Sequence, residues 1–410
     1  MKQQSKLIVS IAVTVSCLSL SLPMALLASG SNSGWSINLR IYGYHRGELG
    51  NAYDYTSHTR IAASENVVSL AIDNLAPTSR ITKPYGYAEA SWTISLFFFD
   101  AHSGKLLAEA GPWTSGLAFQ LFSNSQGNFL LHLWNHSLSS TQQKRGESLL
   151  LISPVGGLLK ELPLWDTASE TDQAQRHDWR VLISPTRKML LVSQSQGGGC
   201  HYELLDANTL AKQSEWNDVG DSYPTILAIT DTQLMAVRKS TKQPQSSVSN
   251  EENEVVVRTF GGEWRRFGAS TGSWKFLSDT TIAGLVEVPG KSDLGPNAYR
   301  LVVERDDGTS LLSAKIEEKD ERLTLPEQIV TSPDARHVAG LFDLVSTWRI
   351  WRELDMGPER AVLYVWAVPN PEPVLKLKVN DQFANYCFSP DGSWVAIADR
   401  MTLRMIRIPN

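Results

Sequence analysis

Two hairpin patterns alternate along most of the 410-residue chain, and their spacing constrains the fold more than anything else in the sequence. The first is sharpest at residues 385–398, where an apolar strand runs into Ser389-Pro390-Asp391-Gly392 and a second apolar strand follows. Residues 328–339 repeat it around Ser332-Pro333-Asp334, and residues 181–192 and 121–131 carry weaker copies. Fainter copies centre on Ser64-Glu65-Asn66, Thr230-Asp231-Thr232 and Ser278-Asp279-Thr280, which makes seven. Proline presets φ for such a turn, aspartate or asparagine bonds nearby backbone, and glycine accepts positive φ. The flanks are apolar or β-branched, as strands require.

The second pattern is also a hairpin, at residues 96–107, 149–159, 202–210, 255–264, 299–311 and 363–374. Its turn residues Asp100, Pro154, Asp206, Phe260, Asp307 and Pro369 are separated by 54, 52, 54, 47 and 62 positions. Two hairpins per near-constant period amount to one four-stranded blade of a β-propeller. The last blade is a strand short, because only residues 403–408 keep strand rhythm after the turn at Asp391-Gly392. An unmatched alternating segment, Trp35 to Tyr42, lies near the other end of the chain. It is expected to complete the last blade and close the ring, leaving no sheet edge exposed. The expected fold class is all-β: a seven-bladed propeller of four-stranded antiparallel blades, closed by the N-terminal strand. Residues 240–253 read as a long polar loop, and residues 346–354 as one or two helical turns stopped by Pro358.

The 13 tryptophans suit pleated surfaces, and 42% hydrophobic residues suffice for a sizeable core. The net charge of −5 becomes −7 once Lys2 and Lys6 are set aside. With no basic stripe to track phosphates, nucleic acid is not an expected partner.

Those two lysines precede an apolar stretch, residues 7–28, that is interrupted by Pro23 and ends at Ala28-Ser29-Gly30. This is the layout of a secretory signal peptide. The expected division is a signal peptide over residues 1–30, with an uncleaved anchor as its rival, and one propeller domain over residues 31–410. A lipoprotein site at Cys17 is disfavoured, because Thr14-Val15-Ser16 lacks the usual aliphatic residue. Cys200 and Cys387 then remain, too few for a disulfide framework. Cys387 falls in the first strand of blade 7. Cys200 is placed in a glycine-rich loop after the second strand of blade 3. These blades lie across the channel from one another, so two free thiols are expected.

With the repeat laid out, Ser389-Pro390-Asp391-Gly392 after an apolar strand resembles the first turn of WD-type and TolB-like propeller repeats. The Asp100–Lys105 turn resembles their second turn and the related turn of quinoprotein-like propellers. The likeness spans residues 34–410, yet the Trp-Asp dipeptide that names the WD family is missing from the strand ends. The resemblance implies a fold and no particular activity.

Motifs that suggest chemistry fail on context. Gly268-Ala269-Ser270-Thr271-Gly272 matches a nucleophile pattern, but it lies between two strands rather than between a strand and a helix. Gly290-Lys291-Ser292 lacks the upstream glycine of a phosphate loop, since that position is Leu285. His132 and His136 sit on a strand, where four-residue spacing separates them by about 13 Å. Asp218 and Asp221 carry no further calcium-site spacing. No catalytic residue, metal site or cofactor is expected.

The connections between second and third strands, and between blades, belong on one face. Two long ones carry Tyr85 and Tyr87, and Trp348, Arg349, Trp351 and Arg352, residue types common at binding hot spots. The alternative is that the tryptophans fold onto their own blade. The expected function is therefore an exported, monomeric, non-enzymatic binding or scaffolding module with a protein or other extracytoplasmic ligand. Its rivals are a hydrolase or lyase with a loop-borne site, and a structural part in an envelope assembly.

Overall fold

The computed structural model describes residues 33–45, 58–75, 92–115, 119–137, 145–166, 179–196, 199–219, 225–239, 253–269, 272–288, 298–318, 321–324, 329–346, 360–379, 384–399 and 401–409. They form seven antiparallel sheets arranged as the blades of a propeller. Blade 1 is typical: Thr59–Ala63, Val67–Leu75, Trp92–Asp100 and Leu106–Ser115 pair in chain order. The first strands of successive blades approach each other and line the central channel. They are Thr59–Ala63, Phe119–Ser123, Trp179–Ile183, Thr225–Ile229, Gly272–Ser278, Ile329–Thr331 with Glu321–Thr324, and Asn385–Phe388. In blade 6 the two short segments pair in succession with one second strand, His337–Ser346.

The hydrophobic core is divided into seven clusters, one between each pair of neighbouring blades. The inner strands of a blade therefore bury both faces. Along Trp92–Asp100, Phe97 and Phe99 pack toward blade 7, while Ile94, Leu96 and Phe98 pack toward blade 2. That is why the run Leu96-Phe97-Phe98-Phe99 is continuously apolar rather than alternating.

Both turn families form where the sequence places them. In blade 7, Ser389 donates its hydroxyl to Asp391 Oδ1 at 2.6 Å, and Gly392 takes a φ of +69°. In the second family, Asp100 Oδ1 accepts from the backbone N–H groups of His102 and Ser103.

The ring closes through Ser33–Asn38, which pairs antiparallel with Thr402–Arg407 and completes blade 7. The closing strand is shorter than expected. At Asn38 the side chain accepts from the Arg40 N–H, and Leu39–Tyr42 becomes a 3-10 turn instead of continuing the strand. Leu39 and Tyr44 are thereby buried against blade 1. Trp35 fastens the seam: its indole N–H donates to Ala101 O at 2.8 Å, and its ring covers Gly104 so closely that a Cβ there would sit 2.7 Å from it.

The expected signal peptide, the loop expected at 240–253 and the helical turns expected at 346–354 lie outside the described residues except for Asn253 and Ser346, which belong to strands instead. Cys200 needs correction. It sits in Gly199–Asp206, the third strand of blade 3, because pairing with the second strand begins already at Gly199. It is a buried free thiol, and Cys387 is a half-buried one.

Candidate functional site

The channel has two dissimilar ends. At one end lie the tight turns between first and second strands. A cavity of about 750 Å³ opens there, walled by Glu65, Asn124, Arg187, Pro333, Asp391 and Trp394 among others. Arg187 dominates this end. It occupies the glycine position of the blade 3 turn with a φ of +62°. Its guanidinium crosses the channel to Ala63 O of blade 1 at 2.5 Å and Phe388 O of blade 7 at 3.2 Å. Its carbonyl accepts from Ser125 of blade 2 at 3.0 Å. One residue thus ties four blades. Burial pulls the guanidinium down to about 10, and burial pushes the adjacent Cys387 thiol up to about 12, with Arg187 opposing that rise.

The turns are further linked around the ring. Asn124 donates to Ala207 O at 3.1 Å, and Thr186 donates to the Asp231 carboxylate at 2.6 Å. The Gly392 backbone lies against Asp334, where a Cβ would come within 2.5 Å of Oδ2.

Four residues before the turns, the first strands carry polar side chains at one level: Arg60 before Ser64, Gln120 before Asn124, Arg180 before Ser184 and Asn385 before Ser389. Arg60 donates to Thr59 O and to Asn385 Oδ1 at 3.4 Å. Arg180 donates to Ile226 O at 3.4 Å. Lys275, from blade 5, donates to Leu227 O at 3.3 Å. A bulge between Ile226 and Ala228 presents these two consecutive carbonyls. Burial, then the neighbouring Arg180 charge, lowers Lys275 to about 8. Among the described side chains of the first strands there is no carboxylate; the side chains of Glu321, Arg322 and Thr324, and all of Glu327 and Gln328, lie outside the described residues. The level is reached in the sequence only by counting back from each turn, because no local motif marks it.

Other clusters are satisfied internally. His201, Glu203 and Glu215 lie within metal-binding reach of one another, but Lys212 Nζ sits 2.7 Å from both glutamates. His132 is buried against Glu147 at 3.1 Å. The segment at Gly268–Gly272 joins Arg265–Ala269 to Gly272–Ser278, two strands of different blades.

The expected binding residues Tyr85, Tyr87, Trp348, Arg349, Trp351 and Arg352 lie outside the described residues. So do most residues connecting second to third strands and blade to blade. The flanking strands place the ends of these connections together, at the end of the channel opposite Arg187.

No protein family and no curated protein matches the chain by sequence. Solved structures match the architecture. The β-propeller domain of the Trilobed protease from Pyrococcus furiosus is 8% identical, with 86% of this chain and 96% of that chain covered and a TM-score of 0.50. That propeller is described as having an open velcro topology, whereas here the N-terminal strand pairs into the last blade. The WD40 domain of Toxoplasma gondii coronin is 7% identical (92% and 87% covered, TM-score 0.46), and BamB from Moraxella catarrhalis 14% (92% and 99%, TM-score 0.36). At these identities the likeness concerns the fold alone. The chain is a seven-bladed β-propeller of antiparallel blades. Among the described residues no helix is long and apolar enough to cross a membrane.

Proposed function

We propose that this chain is an exported, non-enzymatic binding module that engages a protein partner with its loop-bearing end. The observation that carries the reading is the asymmetry of the ring. Short turns cross-linked by hydrogen bonds occupy one end, and connections as long as residues 76–91 and 347–359 belong to the other. Long loops on a rigid scaffold are where recognition concentrates. Tyr85, Tyr87, Trp348, Arg349, Trp351 and Arg352 supply the aromatic and guanidinium groups suited to it.

The test is the double variant Trp348→Ala with Trp351→Ala in the full chain. Partner recovered by cross-linking should fall at least tenfold while the unfolding midpoint stays put. A large drop in that midpoint would reassign both tryptophans to blade packing. Hydrolytic or lyase turnover that tracks the pure protein would overturn the non-enzymatic reading. For export, mass spectrometry of the extracytoplasmic protein should find no peptide from residues 7–28; an intact N-terminus in a membrane fraction supports the anchor instead.

A further inference from the structure

Six large hydrophobic side chains are exposed among the described residues, and five of them gather on one stretch of the rim. Leu106 and Leu107 open the outer strand of blade 1, and Leu158 and Leu159 open that of blade 2. Val155, 75% exposed, tips the turn before Leu158. Both leucine pairs stand out for the same reason. Leu106 pairs with Phe99 and Ala108 with Phe98, which leaves Leu107 as the extra residue of a β-bulge. Leu158 pairs with Ile152 and Lys160 with Leu151, which leaves Leu159 in the same role. A bulge re-aims side chains that regular alternation would turn inward. The two blades meet here: a Cβ on Gly156 would lie 3.1 Å from Glu109 O and 3.5 Å from Ala108 Cβ. The position itself does not demand leucine. The outer strands of blades 3 and 4 open with Lys212-Gln213 and Arg265-Arg266. Contiguous exposed apolar surface of this kind marks a contact.

The patch lies on the turn side. The Ala101 N–H donates to Asn66 O at 2.9 Å, which joins the two turns of blade 1. The closing strand enters beside it, because Trp35 donates to Ala101 O and its ring covers Gly104, two residues before Leu106. Residues 7–28, an apolar stretch long enough to cross a bilayer, precede that strand in the sequence. As signal peptide or as anchor, such a stretch meets a membrane, and it joins the fold beside the exposed leucines.

Composition narrows the occupant. Protein hot spots favour Trp, Tyr and Arg, and leucine and valine are under-represented there. This patch is aliphatic, stands on strand edges and a turn tip rather than in a groove, and is flanked by the exposed Lys105 and Lys160. Aliphatic side chains enter the boundary between headgroups and acyl chains, while lysine stems beside them reach back toward water and phosphate. We propose that the turn-side rim of blades 1 and 2 docks on a lipid bilayer, with Leu106, Leu107, Val155, Leu158 and Leu159 entering its interface. The loop end lies on the far side, so partner capture through Trp348 and Trp351 stands or falls separately.

Flotation of residues 31–410, which include every described strand, with neutral phosphatidylcholine vesicles tests this. The protein should float with the vesicles. Leu107→Ser, Val155→Ser and Leu159→Ser combined should cut the floated fraction at least about fivefold, because binding scales with the apolar area inserted. Ile41→Ser, at the sixth exposed side chain and past the other end of the closing strand, should leave it unchanged. A second readout needs no loss of binding: a polarity-sensitive dye on Val155→Cys should blue-shift when vesicles are added, and one on Ile41→Cys should not. No flotation, equal flotation by the triple variant, or no shift at Val155→Cys would overturn the docking. So would a dimer in sedimentation velocity that the triple variant abolishes, which gives the patch to a second copy. A dye on Val155→Cys already shielded in the full chain without vesicles would overturn it too, and gives the patch to residues 7–28.

Discussion

The two ends of the propeller channel use positive charge in opposite ways. At the turn end, Arg187 spends its hydrogen bonds on carbonyls of two distant blades, and the charge becomes a strut. At the loop end, Arg180 and Lys275 share a single strand, and the same kind of bond gathers two like charges on it. The difference lies in where the acceptors come from. Acceptors on separate blades turn a cation into a cross-tie, whereas acceptors on one strand merely park it.

The comparison can be broken most severely at the ring seam, on the turn side. Trp35→Ala removes a buried indole and its bond to Ala101 O, and should cost about 3–5 kcal/mol in chemical denaturation. A loss below about 1 kcal/mol would mean the turn end does not need its seam. Arg187→Ala should come next, at about 3 kcal/mol, because two buried carbonyls lose a charged donor. The same variant should slow labelling of Cys387 still further, because the charge that opposes the rise of its thiol is gone. If stability falls and labelling does not change, Arg187 acts within its own turn rather than across the channel.

A pH series sharpens the contrast on the loop side. His58 is raised by its hydrogen bond to the buried Asp73 carboxylate, with burial opposing. Its contribution is complete below about pH 6.5 and is lost as pH rises through the raised folded value. Asp73→Asn should flatten that segment of the stability profile. The smallest effect is expected at Lys275, and its sign is opposite to that at Arg187. Lys275 sits at about 8 in the fold against 10.5 for the free side chain. Between those values the unfolded chain holds more protons, so stability rises with pH. The groups facing Lys275 among the described residues are Arg180 and Leu227 O. Lys275→Met should abolish that rise and leave the protein equal or slightly more stable at pH 7. A clear loss there would make Lys275 a strut like Arg187.

The fold was largely legible because propeller turns have local chemistry. Ser389-Pro390-Asp391-Gly392 encodes its own hydrogen bonds, and the spacing of such turns counts blades. The missing final strand gave the closure, although Asn38, a capping residue, ends the closing strand earlier than its alternation suggests. Cys200 was misplaced because Gly197-Gly198-Gly199 reads as loop while pairing with Gln196 starts at Gly199. The channel was not legible from motifs. Arg60, Arg180 and Lys275 are isolated in sequence, and only the register of seven strands brings them to one level. Arg187 was hidden differently: in a degenerate turn it stands where glycine is usual, and nothing local says that its side chain crosses the ring.

The closing strand also fixes how the disc would hang from a tether. Ser33 pairs with Ile406, while Asn38 pairs with Thr402. Trp394 pairs with Arg407, so Ile406 lies beside the Ser389–Trp394 turn. Anything joined ahead of Ser33 thus leaves from the Arg187 side, at the rim of one blade. A membrane or assembly holding the chain by that segment would face the short turns, and the long loops of the opposite side would point away from it, toward whatever approaches from the surrounding space.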